Sequence, residues 1–468
     1  MAAVGWGRRP ASVWRREQDQ ALAGWLRSEV VPFSQWWQER LDSVGVKSVR
    51  DLVRVPVLQE AQAAGAGGPG NPALLILPTE DGFKRYADRG DLIAAAREVG
   101  GGGTNARRAA IFRRYKPVHV HETGAAATVA VAFTRTDLDR LHLAGARLAE
   151  VLGLGADDAL VSAVPAGPSL RFWGIYHLAL ASRMTALHPR TDGADPVRAV
   201  RRSLAMLPAT VLALPAAEAE ELLRGLVAAG VRVPTLRTLL VVGPPPATQQ
   251  RVTLTGLALQ LGAPVVRVQA AWAPDSARSL WGECRPVTAD PAEATYGLHT
   301  DPQMAVVQVR DVATDILAAP NHPGEVLLTN LGWRGTALVR YATGAWTGGL
   351  VEDVACPSCG RTVPRLSPRA ADAAWQPRVR DNDGRRVRVD LRPAASLFTA
   401  HQLASMGATN WSLRADGDTL VLGLDADTSQ REAVVALAVA VGRAVGSVPE
   451  VRLGARAAAV RPQLGDAG

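Results

Sequence analysis

Four residues of this sequence carry the most definite chemical meaning: Cys284, His299, Cys356 and Cys359. The last two sit in Cys356-Pro-Ser-Cys359-Gly, a CxxC knuckle, which aims two thiolates at one point. The glycine after the second cysteine frees backbone N–H groups to face the sulfurs. Zinc held this way needs two further ligands in tetrahedral geometry. Cys284 is the only other thiol of the chain, and His299, in Gly-Leu-His-Thr, lies fifteen residues beyond it. Together they would complete a Cys3His set, closed and therefore structural. A lone CxxC also suits a redox pair, although the strand–helix context of such a pair is missing here. Plain buried thiols are the remaining alternative.

Other chemistry-bearing residues point less far. His119 and His121 alternate along an expected strand and so share a face, as a surface pair or a weak metal pair. Residues 171–177 (Arg-Phe-Trp-Gly-Ile-Tyr-His) open an expected helix after a Pro/Gly-rich turn, where Trp173 and His177 serve either core packing or a substrate. The four glycines at 100–103 lack a following Lys-Ser/Thr and read as a linker. No Ser/His/Asp triad, Walker loop or GxGxxG fingerprint stands out.

The elements that must position these residues follow from periodicity. Residues 13–60 read as helices, with Trp14, Leu22, Trp25 and Leu26 on one face and Trp36, Trp37 and Leu41 on another. Residues 61–71 form a flexible break, and 74–77 is an apolar run of strand length. Residues 160–164, 209–214 and 236–242 are short buried-strand runs, separated by helical stretches at 138–152, 196–206 and 218–229. That alternation predicts a mostly parallel sheet covered by helices. Residues 305–309, 325–330 and 336–341 predict a β-rich section. Beyond about residue 369 a small α+β unit is expected, with a strand at 419–424 and a helix at 429–445. The tail 462–468 is expected to be loose.

Bulk properties narrow the class. At 468 residues the chain has room for two domains, and 47% apolar with 21% charged residues is a globular balance. No apolar run approaches the roughly eighteen residues of a membrane span, and the N-terminus lacks a signal-peptide core, so a cytoplasmic protein is expected. The net charge of +8 raises the question of nucleic acid. Only Lys47, Lys84 and Lys116 among the basic residues are lysine, however, and arginine is spread over the whole chain. That is a compositional bias and argues against a nucleic-acid partner.

Three segments then resemble one family. Residues 324–330 (GEVLLTN), 337–344 (ALVRYATG) and 356–365 (CPSCGRTVPR) resemble the phenylacetate–CoA ligase branch of the adenylate-forming superfamily. That branch carries Gly-Glu-Leu-x-x-Thr, Arg-Tyr-x-Thr-Gly-Asp and Cys-Gly-Arg-x-x-Pro-Arg. Residues 31–33, 46–58, 133–138, 236–243 and 261–266 match other family segments in the expected order, so the resemblance covers nearly the whole chain. It implies an α/β fold: a large adenylate-forming-type domain with a β-rich subdomain over 1–366, and a small α+β domain over 367–461. It implies ATP-dependent activation of a small carboxylic acid as an acyl-adenylate, with Mg2+, and transfer to CoA. A homodimer is a family-level expectation. Some members hold zinc through an equivalent Cys, His and paired-Cys set.

By resemblance, Thr123, Gly124, Thr128, Gly243, Arg340, Tyr341, Gly344 and Arg369 would lie on the nucleotide, with Asp372 as the hinge acid. The chain departs from the pattern where the chemistry is concentrated. Its phosphate loop is Glu122-Thr-Gly-Ala-Ala-Ala-Thr128, without the middle hydroxyls, second glycine or lysine. Glu122 adds negative charge beside the place for phosphates. Residues 269–273 (QAAWA) replace the Tyr-Gly-x-x-Glu motif, with Asp275 a poor substitute for its Mg2+-side glutamate. Ala345 stands where an aspartate would grip the ribose. No lysine follows Lys116, so the C-terminal lysine is absent, and Arg456 and Arg461 place charge differently. Two functions remain: an active acid–CoA ligase with divergent motifs, or a non-catalytic relative that binds an acyl group, nucleotide or protein. The mechanism favours the second.

Overall fold

The first long helix, Ala11–Trp25, buries Trp14, Gln18, Leu22 and Trp25, one per turn, as the apolar spacing requires. It runs into a π-turn, Leu26–Val30, and ends at Phe33 after Pro32. The structure, a computed structural model, describes residues 6–66, 71–100, 103–123, 129–167, 169–191, 195–285, 295–311, 314–371, 378–389, 394, 397, 406–408, 411–416, 418–426 and 430–453. The chain forms two compact units, Met1–Ala370 and Ala371–Ala467.

Most strands of the first unit belong to one sheet. Its strands are β3 (Ala159–Ser162), β4 (Thr185–Leu187), β5 (Val211–Pro215), β6 (Thr238–Val242), β7 (Arg267–Trp272), β8 (Trp281–Glu283), β9 (Leu298–His299), β14 (Leu350–Val351) and β15 (Arg365–Leu366). Their order is β14–β15–β9–β8–β7–β6–β5–β3–β4. From β7 to β4 the pairs are parallel; from β7 to β14 they are antiparallel. The runs at 160–164, 209–214 and 236–242 pair in parallel as their alternation with helices predicted, and β8, β9, β15 and β14 extend the sheet in antiparallel. Short links such as that between β7 and β8 leave no room for a crossover helix.

Period-2 alternation decides which face each side chain serves. Leu212, Leu214, Leu239 and Val241 pack under helices Pro196–Met206, Ala219–Ala228 and Thr248–Gln260. Val211, Ala213, Leu240 and Val242 pack under helices Arg135–Leu152 and Leu170–Ser182. Each of these larger side chains contributes about 1.5–3 kcal/mol when fully buried.

β1 (His119–Thr123) and β2 (Val129–Phe133) form a separate two-stranded antiparallel sheet. An antiparallel sheet runs β11 (Ile316–Leu317), β10 (Ala305–Asp311), β12 (Gly324–Asn330) and β13 (Tyr341–Thr347). The strand expected at 336–341 begins only at Tyr341, because Arg340 takes a left-handed φ of 50° that interrupts extended backbone. The run at 74–77 supplies a single bridge, Leu75 to Thr336, rather than a strand. The small unit pairs Thr419–Leu424 in antiparallel with Trp411–Asp416 and in parallel with Glu450–Leu453, and helix Arg431–Val445 makes the crossover. The tail 462–468 lies outside the described residues.

Candidate metal centre and the nucleotide-side residues

Sheet register brings the four metal candidates together. Cys284 directly follows β8, and His299 closes β9, opposite Gly282 on one side and Arg365 on the other. Cys356 and Cys359 lie on the turn between β14 and β15. There the Cys356 N–H donates to Arg361 O at 2.7 Å and the Gly360 N–H to Cys356 O at 2.8 Å. Gly360 takes a left-handed φ of 70°, which the tight turn requires. The Ser358 hydroxyl ties the turn to Arg285 O at 2.7 Å.

The four ligand atoms lie within 4.8 Å of one another. The Cys284 and Cys356 sulfurs are 3.6 Å apart, and Cys359 Sγ is 3.5 Å from His299 Nε2. Zinc bonds of about 2.3 Å to sulfur and 2.0–2.1 Å to nitrogen give tetrahedral edges of about 3.8 and 3.6 Å. The donor set and its spacing therefore fit zinc, and all four positions would be filled by protein. Hydrogen bonding from Cys284 holds the Cys356 and Cys359 thiols below the ordinary thiol range, while the same contacts push Cys284 up. Burial opposes the imidazolium of His299, but the adjacent sulfurs outweigh it and raise the group. None of the three cysteines is in a disulfide.

The nucleotide-side candidates are not gathered in the same way. Gly124 and Thr128 lie outside the described residues, as do Asp372, Arg456 and Arg461. Thr123 ends β1 opposite Val129. Gly243 follows β6 at the carboxyl edge of the parallel strands, where such sheets take ligands. Its φ is 140°, and a Cβ there would meet Ala216 at 2.6 Å. Arg340 is 5% exposed, and its guanidinium donates to the carbonyls of Val53 and Val55 at 3.0 and 2.6 Å. Tyr341 is buried, and burial pushes its phenol up. The Gly344 N–H donates to Glu325 Oε1 at 3.1 Å, and Ala345 beside it is buried. Arg369 is exposed.

Residues 269–273 are all buried, none more than 2% exposed, with Trp272 at 0%. The Gln269 amide donates to the carbonyls of Leu152 and Glu283. Asp275 contacts Ser169 at 3.4 Å and Arg171 at 3.7 Å. The end of β7 is thus filled with side chains engaged in packing.

Two features escaped the sequence reading. Trp6 packs on the cysteines, and Arg8 donates to Cys359 O at 3.1 Å. No local pattern signals that contact. Five histidines also gather around one helix: His119 and His121 touch Trp173, His142 touches His177, and His188 touches Phe172 and Tyr176. The period-2 spacing of the first pair was legible, but His121 is 1% exposed and not at the surface. Burial, then His142 and His119, lower His177 to about 4.

No family model matches this chain, and no curated protein does. Solved structures do. A 2-hydroxyisobutyryl-CoA ligase in the postadenylation state is similar with a TM-score of 0.68, at 15% identity, over 98% of this chain and 88% of that one. The same ligase with 2-HIB-AMP and CoA in the thioesterification state gives 0.63, at 15% identity, over 98% and 89%. Its open conformation gives 0.59, at 16% identity, over 98% and 90%.

Proposed function

We propose that this chain, which has the adenylate-forming acid–CoA ligase fold, keeps that architecture with its adenylation chemistry reduced or lost. The observation that carries this reading is the end of β7. An acyl-adenylate needs a carboxylate holding Mg2+ and an aromatic face for adenine; residues 269–273 present alanines, a sheet-bound glutamine and a fully buried Trp272. Ala345 offers no carboxylate for a ribose, and no lysine follows Lys116 to neutralise charge at an α-phosphate. Loss of one comparable group costs about 2.7–4 kcal/mol of transition-state stabilisation. Such groups act as a unit, so the losses do not simply add.

Zinc held by Cys284, His299, Cys356 and Cys359 would act as a staple. It would tie the ends of β8 and β9 to the β14–β15 turn, and with four protein ligands it would leave no position for a substrate. The second reading is an active ligase for a small carboxylic acid and CoA. Gly243 at the carboxyl edge of the sheet favours it.

Acid-dependent pyrophosphate exchange with ATP, Mg2+ and a panel of aryl and fatty acids tests the two. Exchange at the no-enzyme background is expected. Robust exchange with any one acid would overturn the proposal.

A further inference from the structure

We propose that residues 6–9 are the outer wall of the metal centre, so that retaining the metal and docking this segment are coupled. The inference rests on the zinc reading above. Trp6 is half-buried and packs against the cluster of Val151, Cys284 and Cys356, on which Cys359 also packs. The next three residues hold the ring there by bonding to the loop that carries the knuckle. Gly7 O accepts the Thr362 N–H at 2.6 Å and the Thr362 hydroxyl at 3.1 Å. Arg9 O accepts the same hydroxyl. Arg8 Nε donates to the carbonyl of Cys359, itself a candidate ligand residue, at 3.1 Å. Trp14, one helical turn into Ala11–Trp25, donates its indole N–H to Thr362 O at 3.0 Å.

The fit is specific. Gly7 has a left-handed φ of 76°, and a Cβ there would lie 3.3 Å from the Arg361 side chain. Trp6 is also linked, through Arg147 of helix Arg135–Leu152, to the chain that follows His299. Its ring stacks under the Arg147 guanidinium at 5.1 Å. Arg147 grips both carboxylate oxygens of Asp301, two residues beyond His299, at 2.9 and 2.7 Å. Gln303 continues the chain to Glu17, and Glu17 pairs with Arg9 at 2.6 Å. One short segment therefore bonds directly to the knuckle turn and is linked through Arg147, Gln303 and Glu17 to the chain just beyond His299.

A metal fixes the positions of those loops, and with them the Cys359 and Thr362 backbone that residues 7–9 read. By linkage, the factor by which the docked segment tightens metal binding is the factor by which bound metal favours docking, and couplings of this kind are typically about 5–150-fold. Undocking would uncover Cys359, the least buried of the three cysteines.

The test uses the full chain as wild type, as the W6A/R8A double variant and as T362V. The last removes the hydroxyl bonds to Gly7 and Arg9 while leaving Trp6 and all four ligands in place. Metal content is measured first. Transfer of zinc to an excess of a chromogenic chelator and reaction of the thiols with a disulfide reagent are then timed. Both rates are expected to rise at least fivefold in each variant, with melting temperature reported alongside. Rates within twofold of wild type in both variants would overturn the wall. If wild type carries no stoichiometric metal, the zinc reading fails by itself, and the thiol rates still decide whether residues 6–9 shield the cysteines. Should W6A/R8A not fold, T362V decides.

Discussion

At the scale of single residues, the cysteines are the most exposed to test. Replacing Cys356 and Cys359 by alanine removes half of the ligand set. Bound zinc is expected to fall from about one per chain to near zero by elemental analysis, with a lower melting temperature. Wild-type protein without stoichiometric metal would rule the site out. His177 gives a second prediction. Its folded value, lowered to about 4 from 6.5 by burial and by His142 and His119, means the unfolded chain binds more protons between those values. Its contribution is therefore fully present above about 6.5 and is lost as pH falls toward 4. Urea midpoints measured from pH 4.5 to 7 should climb with pH, and His177→Gln should flatten the climb. Arg278 gives a third. It is fully buried between the rings of Phe133 and Trp333, and its Nε and Nη1 find no hydrogen-bond partner among the described residues. Burial lowers its pKa to about 10. Its Nη2 does donate to Thr336 O, but burying a charge with two of its nitrogens unbonded carries a desolvation cost that an apolar residue of similar size would relieve. Arg278→Met is expected to unfold at an equal or higher denaturant concentration than wild type.

At the scale of elements, helices Arg135–Leu152 and Leu170–Ser182 cross closely enough that a Cβ on Gly145 would sit 2.5 Å from the His177 carbonyl. Backbone cannot yield as a flexible side chain can. Gly145→Val should push the helices apart and cost about 1–3 kcal/mol, read as a lower denaturation midpoint. The first helix of this pair is well specified locally: Thr134 and Asp137 form a capping box, and Gly153 ends it in a left-handed conformation. Asp137 also accepts the N–H groups of Arg334 and Gly335, so a local cap doubles as a long-range tie. Helix 196–206 was legible to the residue because Asp195 caps it, Pro196 opens it and its apolar period is clear. The strand expected at 336–341 was misplaced because β propensity does not report the left-handed turn at Arg340.

At the scale of the whole molecule, the fold carries over nearly the full chain, while Arg340 and Tyr341 are buried, Ala345 stands at the expected aspartate and residues 269–273 are packed. A ligand that binds only the folded state raises its apparent stability by RT ln(1 + [L]/Kd). ATP and AMP at millimolar concentration are therefore expected to leave the melting temperature unchanged. A shift of several degrees with either would favour the second reading, a ligase that still binds nucleotide.

The sequence by itself determined the α/β class, the helices at 138–152, 196–206, 218–229 and 429–445 and the identity of the four metal candidates, but not the helices Glu80–Tyr86, Arg89–Val99, Thr104–Tyr115 and Thr248–Gln260. Those signals are local: period, caps, turn glycines and a knuckle whose spacing is written in five consecutive residues. Tertiary structure alone decided that β8, β9 and the β14–β15 turn bring four ligand atoms within 4.8 Å. It also decided that Arg340 bonds the backbone at Val53 and Val55, and that Trp6 lies on the cysteines. Each of these depends on strand order and long-range register, which join residues tens to hundreds of positions apart and leave no trace in local spacing.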